Sequence, residues 1–288
     1  MNRLQPPNVN DAAAFTALAN NRRLASHPHL QAPRATILQA YLDYEDAEGN
    51  ASAITSPNLP PEVISFLKNH YKSPPNDIAF ITTLREESGV NACPLCGSLH
   101  SGTLDHLLPK ERFPAFSIYS KNLVPACKCN GNKGQLLVGP LPGARILHPY
   151  FDTCLSERLI GAKFEEHGEA PKVQLVIHVP STDPMYPAIS FHVDSIVNRT
   201  GIKRYLRSCW VKLCRQPTVV IPTLNFIPQS RIQMEKEIAS ERMRLDQFHE
   251  SKNNWNSVFL TGLLDPPTSN WLFSQLTRAG RLPADSVV

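Results

Sequence analysis

The sequence predicts an α+β fold, and three observations carry that prediction. The first 90 residues read as helices cut by proline, a cysteine-rich stretch without long periodic runs fills 91–152, and 153–288 mixes β-branched runs with charged helical ones. A chain of 288 residues that is 42% hydrophobic is long enough for one large domain or two modest ones, with a real core.

In the N-terminal region, 1–90, Asp11 is placed to cap a helix running through Asn21, Ala32 to Asp43 makes a second, and Pro60 to Tyr71 a third. Asn76 is placed to cap a fourth, extending to about Ser88. The segments HPHLQAP, SPNLPP and KSPP are loops, because proline lacks the amide donor and restricts its predecessor. In the C-terminal region, 153–288, the runs Val173 to Pro180 and Ala188 to Val193 are β-branched or aromatic and are expected to be strands. A helix from about Ser195 to Leu213 follows. Residues 230–250 form a long charged helix with Ile232, Ile238, Leu245 and Phe248 inward, and TSNWLFSQL supplies a last helix after Pro266 and Pro267. No internal repeat or low-complexity tract is present.

Charge is informative only where it is local. The formal total is +4, from 29 basic and 25 acidic residues. Between Ser195 and Arg215 lie Arg199, Lys203, Arg204, Arg207, Lys212 and Arg215 with no acidic residue, which leaves the rest of the chain net negative by two. Ile202, Leu206, Cys209 and Leu213 recur at helical spacing and are expected to face the core, flanked by Tyr205 and Trp210. Arg199, Lys203 and Arg207 step by four along a neighbouring strip, a face suited to an anion such as a phosphate backbone, with Lys203 and Arg207 the candidate contacts. A solvated or internally paired face is the competing reading.

Seven cysteines is an odd number, and four of them form two tight pairs, which fits metal thiolates in a reducing compartment better than disulfides. No apolar run of about 18 residues exists and the first residues lack a secretory layout, so a cytoplasmic protein with no membrane segment is expected. Nothing resembles a Walker phosphate loop; GNKG lacks the preceding spacing.

The chemistry is concentrated in CPLCGSLHSGTLDHLLPKERFPAFSIYSKNLVPACKCNGNKG. Phosphodiester hydrolysis needs a base to deprotonate water, a divalent cation to neutralise phosphoryl charge, and rigid positioning. Asp105, His106, Asn122 and Asn130 are the residue types that supply these. Neighbouring side chains on a strand point to opposite faces, so Asp105 and His106 share a site only if the strand ends or twists there, as Pro109 allows.

Over roughly Cys93 to Gly134 these residues resemble the HNH (ββα-metal) endonuclease family, in its form with a cysteine-bound zinc. An Asp-His pair, an Asn-Leu, a cysteine pair leading into Asn, and a Lys three residues later appear here as Asp105-His106, Asn122-Leu123, Cys127 with Cys129, Asn130 and Lys133. The resemblance implies a central ββα-metal module with His106 as general base and Asp105 and Asn130 as ligands of a catalytic Mg2+ or Mn2+. It further implies that Asn122 orients the His106 ring, that Lys133 touches a phosphate, and that Cys93, Cys96, Cys127 and Cys129 hold a structural zinc. The family's second cysteine pair is usually spaced by two residues; CKC is spaced by one, so His100, His148 or Cys154 is an alternative ligand. The run Leu147 to Asp152, LHPYFD, resembles HNH proteins of bacterial antiphage systems, which implies an ATPase partner. The expected activity is hydrolysis of DNA, with RNA left open. The alternative of a different class is a non-catalytic zinc ribbon that binds nucleic acid or assembles a complex.

Overall fold

A computed structural model describes residues 1–86, 91–100 and 102–288, and the side chains of residues 132 and 133 lie outside that description. The fold is α+β. Helices α1 (Asp11–Asn20), α2 (Arg34–Asp46), α3 (Pro61–Lys72) and α4 (Phe80–Glu86) precede a two-stranded sheet of β1 (Thr103–His106) and β2 (Leu123–Ala126), followed by the short helix α5 (Cys129–Lys133). A second antiparallel pair, β3 (Ile160–Glu165) with β4 (Lys172–Ile177), is followed by α6 (Tyr186–Ser195), α7 (Ile202–Arg215), α8 (Pro217–Val220), α9 (Arg231–Phe248), α10 (Trp255–Leu263) and α11 (Pro266–Leu276). Among the described residues no helix is long and apolar enough to cross a membrane.

Two hydrophobic cores organise these elements. The first joins α1–α3 to the cysteine segment and the β1–β2 pair, with Phe15, Ile37, Tyr44, Leu67 and Phe116 buried together. Aromatic packing dominates where α2 meets the long β1–β2 connection: Tyr41 stacks on Tyr119 at 4.3 Å between centroids, and Tyr44 meets Phe116 edge-on at 5.0 Å. The second core gathers β3, β4 and α6–α11 around Trp210, Phe164 and Ile238. Helix α10 lies so close on β3 that a Cβ at Gly262 would sit 2.7 Å from both the Ala162 carbonyl and the Phe164 ring. Only glycine fits there.

Several elements differ from the sequence reading. The cap of α1 is Asn10, which accepts from the Ala13 amide at 3.0 Å. Asp11 instead is buried, accepting from the Ser120 amide at 2.8 Å and hydroxyl at 2.6 Å, and burial raises its carboxyl to about 6 against those bonds. The fourth segment is a 3₁₀ turn, Asn76–Ile78, leading into α4, and its expected end at Ser88 lies outside the described residues. Ala188 to Val193 is helical, not extended: Ala188, Ile189, His192 and Val193 are buried, a helical repeat rather than alternation, and Pro187 sits in the first turn. The basic helix begins at Ile202, with Arg199 in a separate 3₁₀ turn, Val197–Arg199, so the strip is broken after Arg199. Trp210 is fully buried rather than flanking. On α9, Met234 and Ile238 face the core, whereas Ile232 and Phe248 are 75% and 64% exposed.

Candidate active site and cysteine cluster

The β1–β2 pair is antiparallel with His106 opposite Leu123 and Asp105 opposite Val124, and α5 follows directly. Leu104 and His106 face inward, and the strand stops at His106. Because it stops there, Asp105 folds back on its neighbour: its Oδ1 accepts from the His106 amide at 2.8 Å and lies 3.9 Å from His106 Nδ1. Its Oδ2 accepts from Asn130 Nδ2 at 2.6 Å, and the same amide nitrogen donates to the His106 carbonyl at 3.1 Å. Asn130, the second residue of α5, thus pins that helix to the end of β1. Asp105, His106 and Asn130 come together in one place.

The His106 ring has a defined protonation pattern. Nε2 lies 2.8 Å from the Ser117 carbonyl, which only accepts, so Nε2 carries the proton and Nδ1, on the Asp105 side, holds the lone pair. The residue is 3% exposed, and burial pushes its pKa down to about 4, against the Ser117 bond that raises it and with Lys110 adding to the lowering. The imidazole is therefore neutral near pH 7, the form a proton acceptor requires.

Asn122 lies one layer deeper than expected. It is fully buried, accepts from the Leu108 amide at 2.8 Å and the Tyr44 hydroxyl at 3.3 Å, and donates to the Leu108 and Phe116 carbonyls at 3.1 Å each. It does not bond the His106 ring. It fastens the loop that carries Ser117, and the Ser117 carbonyl orients the ring. Behind it, His148 Nδ1 accepts from the Tyr150 amide at 3.2 Å, so Nε2 carries the proton and donates to the Tyr44 hydroxyl at 2.9 Å. The LHPYFD run is therefore internal scaffolding, tied further by Arg145 paired with Asp152 at 2.6 Å and by the Tyr150 hydroxyl on the Leu123 carbonyl at 2.6 Å.

Sequence reading missed an aromatic neighbour of His106 and the two cations that lie over its ring. The Tyr71 ring, from α3, lies 4.2 Å from the imidazole, with its hydroxyl held by the Leu104 carbonyl at 2.5 Å. Over that ring sit the Arg85 guanidinium at 4.6 Å and the Lys110 ammonium at 4.9 Å, and Arg85 also bonds the Tyr71 carbonyl. No local motif joins Tyr71 and Arg85 to His106; only tertiary folding does. Lys133, the expected phosphate contact, belongs to α5, but its side chain lies outside the described residues.

The four cysteines converge. The Sγ atoms of Cys93, Cys96, Cys127 and Cys129 all lie within 4.8 Å of one another, with Cys93 to Cys129 at 3.6 Å and Cys96 to Cys127 at 3.5 Å. Thiolates about 2.3 Å from a tetrahedral ion stand ~3.8 Å apart, so the cluster can hold a metal such as zinc. The first pair sits on a tight turn in which the Gly97 amide donates to the Cys93 carbonyl at 2.8 Å and Gly97 adopts φ +77°. The CKC spacing is accommodated because Cys127 follows β2 and Cys129 opens α5, with Lys128 making the bend at φ −58°, ψ −7°. Amides supply N–H···S bonds, Cys127 to Cys93 at 3.4 Å and Cys129 to Cys127 at 3.3 Å. Hydrogen bonding from its neighbours, Cys129 foremost, lowers the Cys127 thiol, while Cys129 beside it is raised. His100, His148 and Cys154 are not part of the cluster, so no substitute ligand is required.

The turn is docked on the C-terminal half through three successive carbonyls. Leu95 accepts from His192 Nε2 at 2.7 Å, Cys96 from Trp255 Nε1 at 2.8 Å and Gly97 from the Trp255 amide at 3.0 Å. On α7, Ile202, Leu206 and Leu213 are buried, while none of Lys203, Arg204, Arg207, Lys212 and Arg215 pairs with an acidic side chain among the described residues.

No family model matches the chain, and no solved structure matches it. A stretch of 64 residues is 44% identical to Protein ea31 of Escherichia phage lambda, covering 21% of this chain and 21% of that protein. The chain thus spans about a fifth of the length of this curated relative.

Proposed function

We propose that the protein is a metal-dependent endonuclease of the HNH type that hydrolyses DNA phosphodiesters. The observation that carries this reading is the state of His106: a neutral imidazole whose Nε2–H is fixed by the Ser117 carbonyl, with Nδ1 3.9 Å from the Asp105 carboxylate that also accepts from Asn130, at the end of a strand. In the reaction, His106 Nδ1 takes a proton from water as the water oxygen bonds to phosphorus, and the opposite P–O bond breaks with its electron pair on the leaving oxygen. Arg85 and Lys110, over the Tyr71 ring, offset phosphate charge next to that base. Asp105 and Asn130 would hold a divalent cation such as Mg2+ or Mn2+, which supplies neutralisation of phosphoryl and leaving-group charge when bound. The four-cysteine cluster would hold a structural zinc that fixes α5 against β1. Lys203 and Arg207 would meet the phosphate backbone, and an antiphage role with an ATPase partner rests on the LHPYFD resemblance.

One observation favours a second reading, a non-catalytic zinc ribbon that binds nucleic acid. Asn130 turns its amide nitrogen, not its oxygen, to Asp105, so joint metal ligation requires that amide to rotate. Plasmid nicking with Mg2+ or Mn2+ titrated into purified protein separates the readings. Metal-dependent nicking supports the endonuclease, and binding without nicking at any metal concentration supports the ribbon.

A further inference from the structure

Beside the cysteine cluster a cleft of about 760 Å³ opens between the Cys127–Cys129 bend and the start of α7, and His106 is not among its lining residues. That volume is in the range of small-molecule sites. One wall is aromatic. Trp255 is fixed by its indole nitrogen on the Cys96 carbonyl, Tyr205 by its hydroxyl on Asn256, and their centroids lie 5.3 Å apart with planes at 53°. Both polar ends are occupied, so the rings add rigid apolar surface to the cleft, extended by Leu99.

The rim is basic. Lys128 and Arg199 line the cleft, and no Asp or Glu among the described residues does. The same charge continues onto α7, where Lys203 and Arg207 follow without an acidic residue between Ser195 and Arg215. A ligand that matches must offer an aromatic face and a negative charge together. A paired base in a duplex has both faces covered by its neighbours, whereas an unpaired nucleotide exposes one.

We propose that this cleft is a subsite for one unpaired nucleotide of the bound strand, its base on the Trp255–Tyr205 wall and its phosphate near Lys128. The proposal rests on the endonuclease reading for the presence of a strand, and it deepens that reading by making a single-stranded segment part of the substrate. Gly102 lines the cleft, and a Cβ built there meets nothing within 4 Å among the described residues, so Gly102→Leu adds bulk at the cleft wall without a clash at its first side-chain atom.

The test compares binding of a 12-nucleotide single-stranded deoxyoligonucleotide, a fully abasic strand of equal length and charge, and a blunt duplex, in magnesium-free buffer. The parent should bind the base-bearing strand about tenfold more tightly than the abasic one. Gly102→Leu should bind both strands alike, and Lys128→Ala should weaken both, while duplex affinity changes less than twofold in Gly102→Leu. Trp255→Leu should match Gly102→Leu, but because Trp255 also braces Cys96, Gly102→Leu is the deciding variant. If Gly102→Leu keeps the parent's preference for bases, the subsite is overturned, and the endonuclease reading survives provided the parent still nicks plasmid. If the parent neither binds any of the three nor nicks plasmid, both are overturned.

Discussion

Replacing Asn122 by alanine should weaken the fold severely and disable the site through the loop it holds. The side chain is fully buried, and the Leu108 amide and carbonyl have no other hydrogen-bond partner among the described residues. Both would be left unpaired in a wholly buried residue, whereas the Phe116 carbonyl keeps the Tyr119 amide and the Tyr44 hydroxyl keeps His148. At ~1–3 kcal/mol per orphaned buried group, the loss should be about 4 kcal/mol. That is a large part of the roughly 5–15 kcal/mol typical of a folded domain. With a urea dependence of ~2 kcal/mol per M, the unfolding midpoint should fall by about 2 M, read by circular dichroism. Asn122→Asp should do no better, since it loses both donated bonds and buries a charge. The Ser117 carbonyl moves with the same loop, so hydrogen exchange at residues 113–118 should speed up in step with lost nicking. A change below about 1 kcal/mol would refute this role for Asn122.

Other expectations follow from the same geometry. Elemental analysis should find about one zinc per chain, and Cys129→Ser should lose it, because the cluster already contains all four thiols and no histidine; zinc retained at full occupancy in that variant contradicts the cluster as the site. Stability should fall between about pH 7.5 and pH 5. Burial lowers His106 and His192 to about 4 and His148 to about 3, so their contribution is complete above the unfolded value near 6.5 and is lost as pH falls toward those folded values, about 2 kcal/mol each by pH 5. Asp11, raised to about 6, is more stable protonated and works in the opposite direction, so it offsets part of the loss that urea titrations at the two pH values should detect. Lys203→Ala with Arg207→Ala should flatten the slope of log affinity for duplex against log salt by about two, and an unchanged slope would assign these residues elsewhere.

The helices of the first 72 residues were legible because proline bounds them and their apolar spacing is regular. The cysteine pairs and the Asp-His, Asn and CKC-Asn order were legible because those residues sit in short local strings. Ala188 to Val193 misled because its β-branched and aromatic content speaks for a strand, while the burial that decides it, at 188, 189, 192 and 193, has a helical period. Strand β3 begins IGA, and its glycine and alanine give no strand signal; in the fold it pairs with β4 and is covered by α10 through Gly262. Ile232 and Phe248 were expected inside on hydrophobicity alone, but the ends of α9 extend past the core. The position of Asn122 and the cations around Tyr71 depend on contacts across tens of residues, which no local pattern records.

If His106 removes the proton from the attacking water, its loss must appear in the chemical step and not in binding. The plasmid-nicking rate of His106→Ala, measured beside the parent at saturating Mg2+ or Mn2+, reads that step. Nicking should fall by at least about a hundredfold while duplex affinity stays within about twofold, because a base acts in the transition state and adds little to ground-state binding. Wild-type nicking by a folded His106→Ala protein would contradict the assignment of His106 as the base.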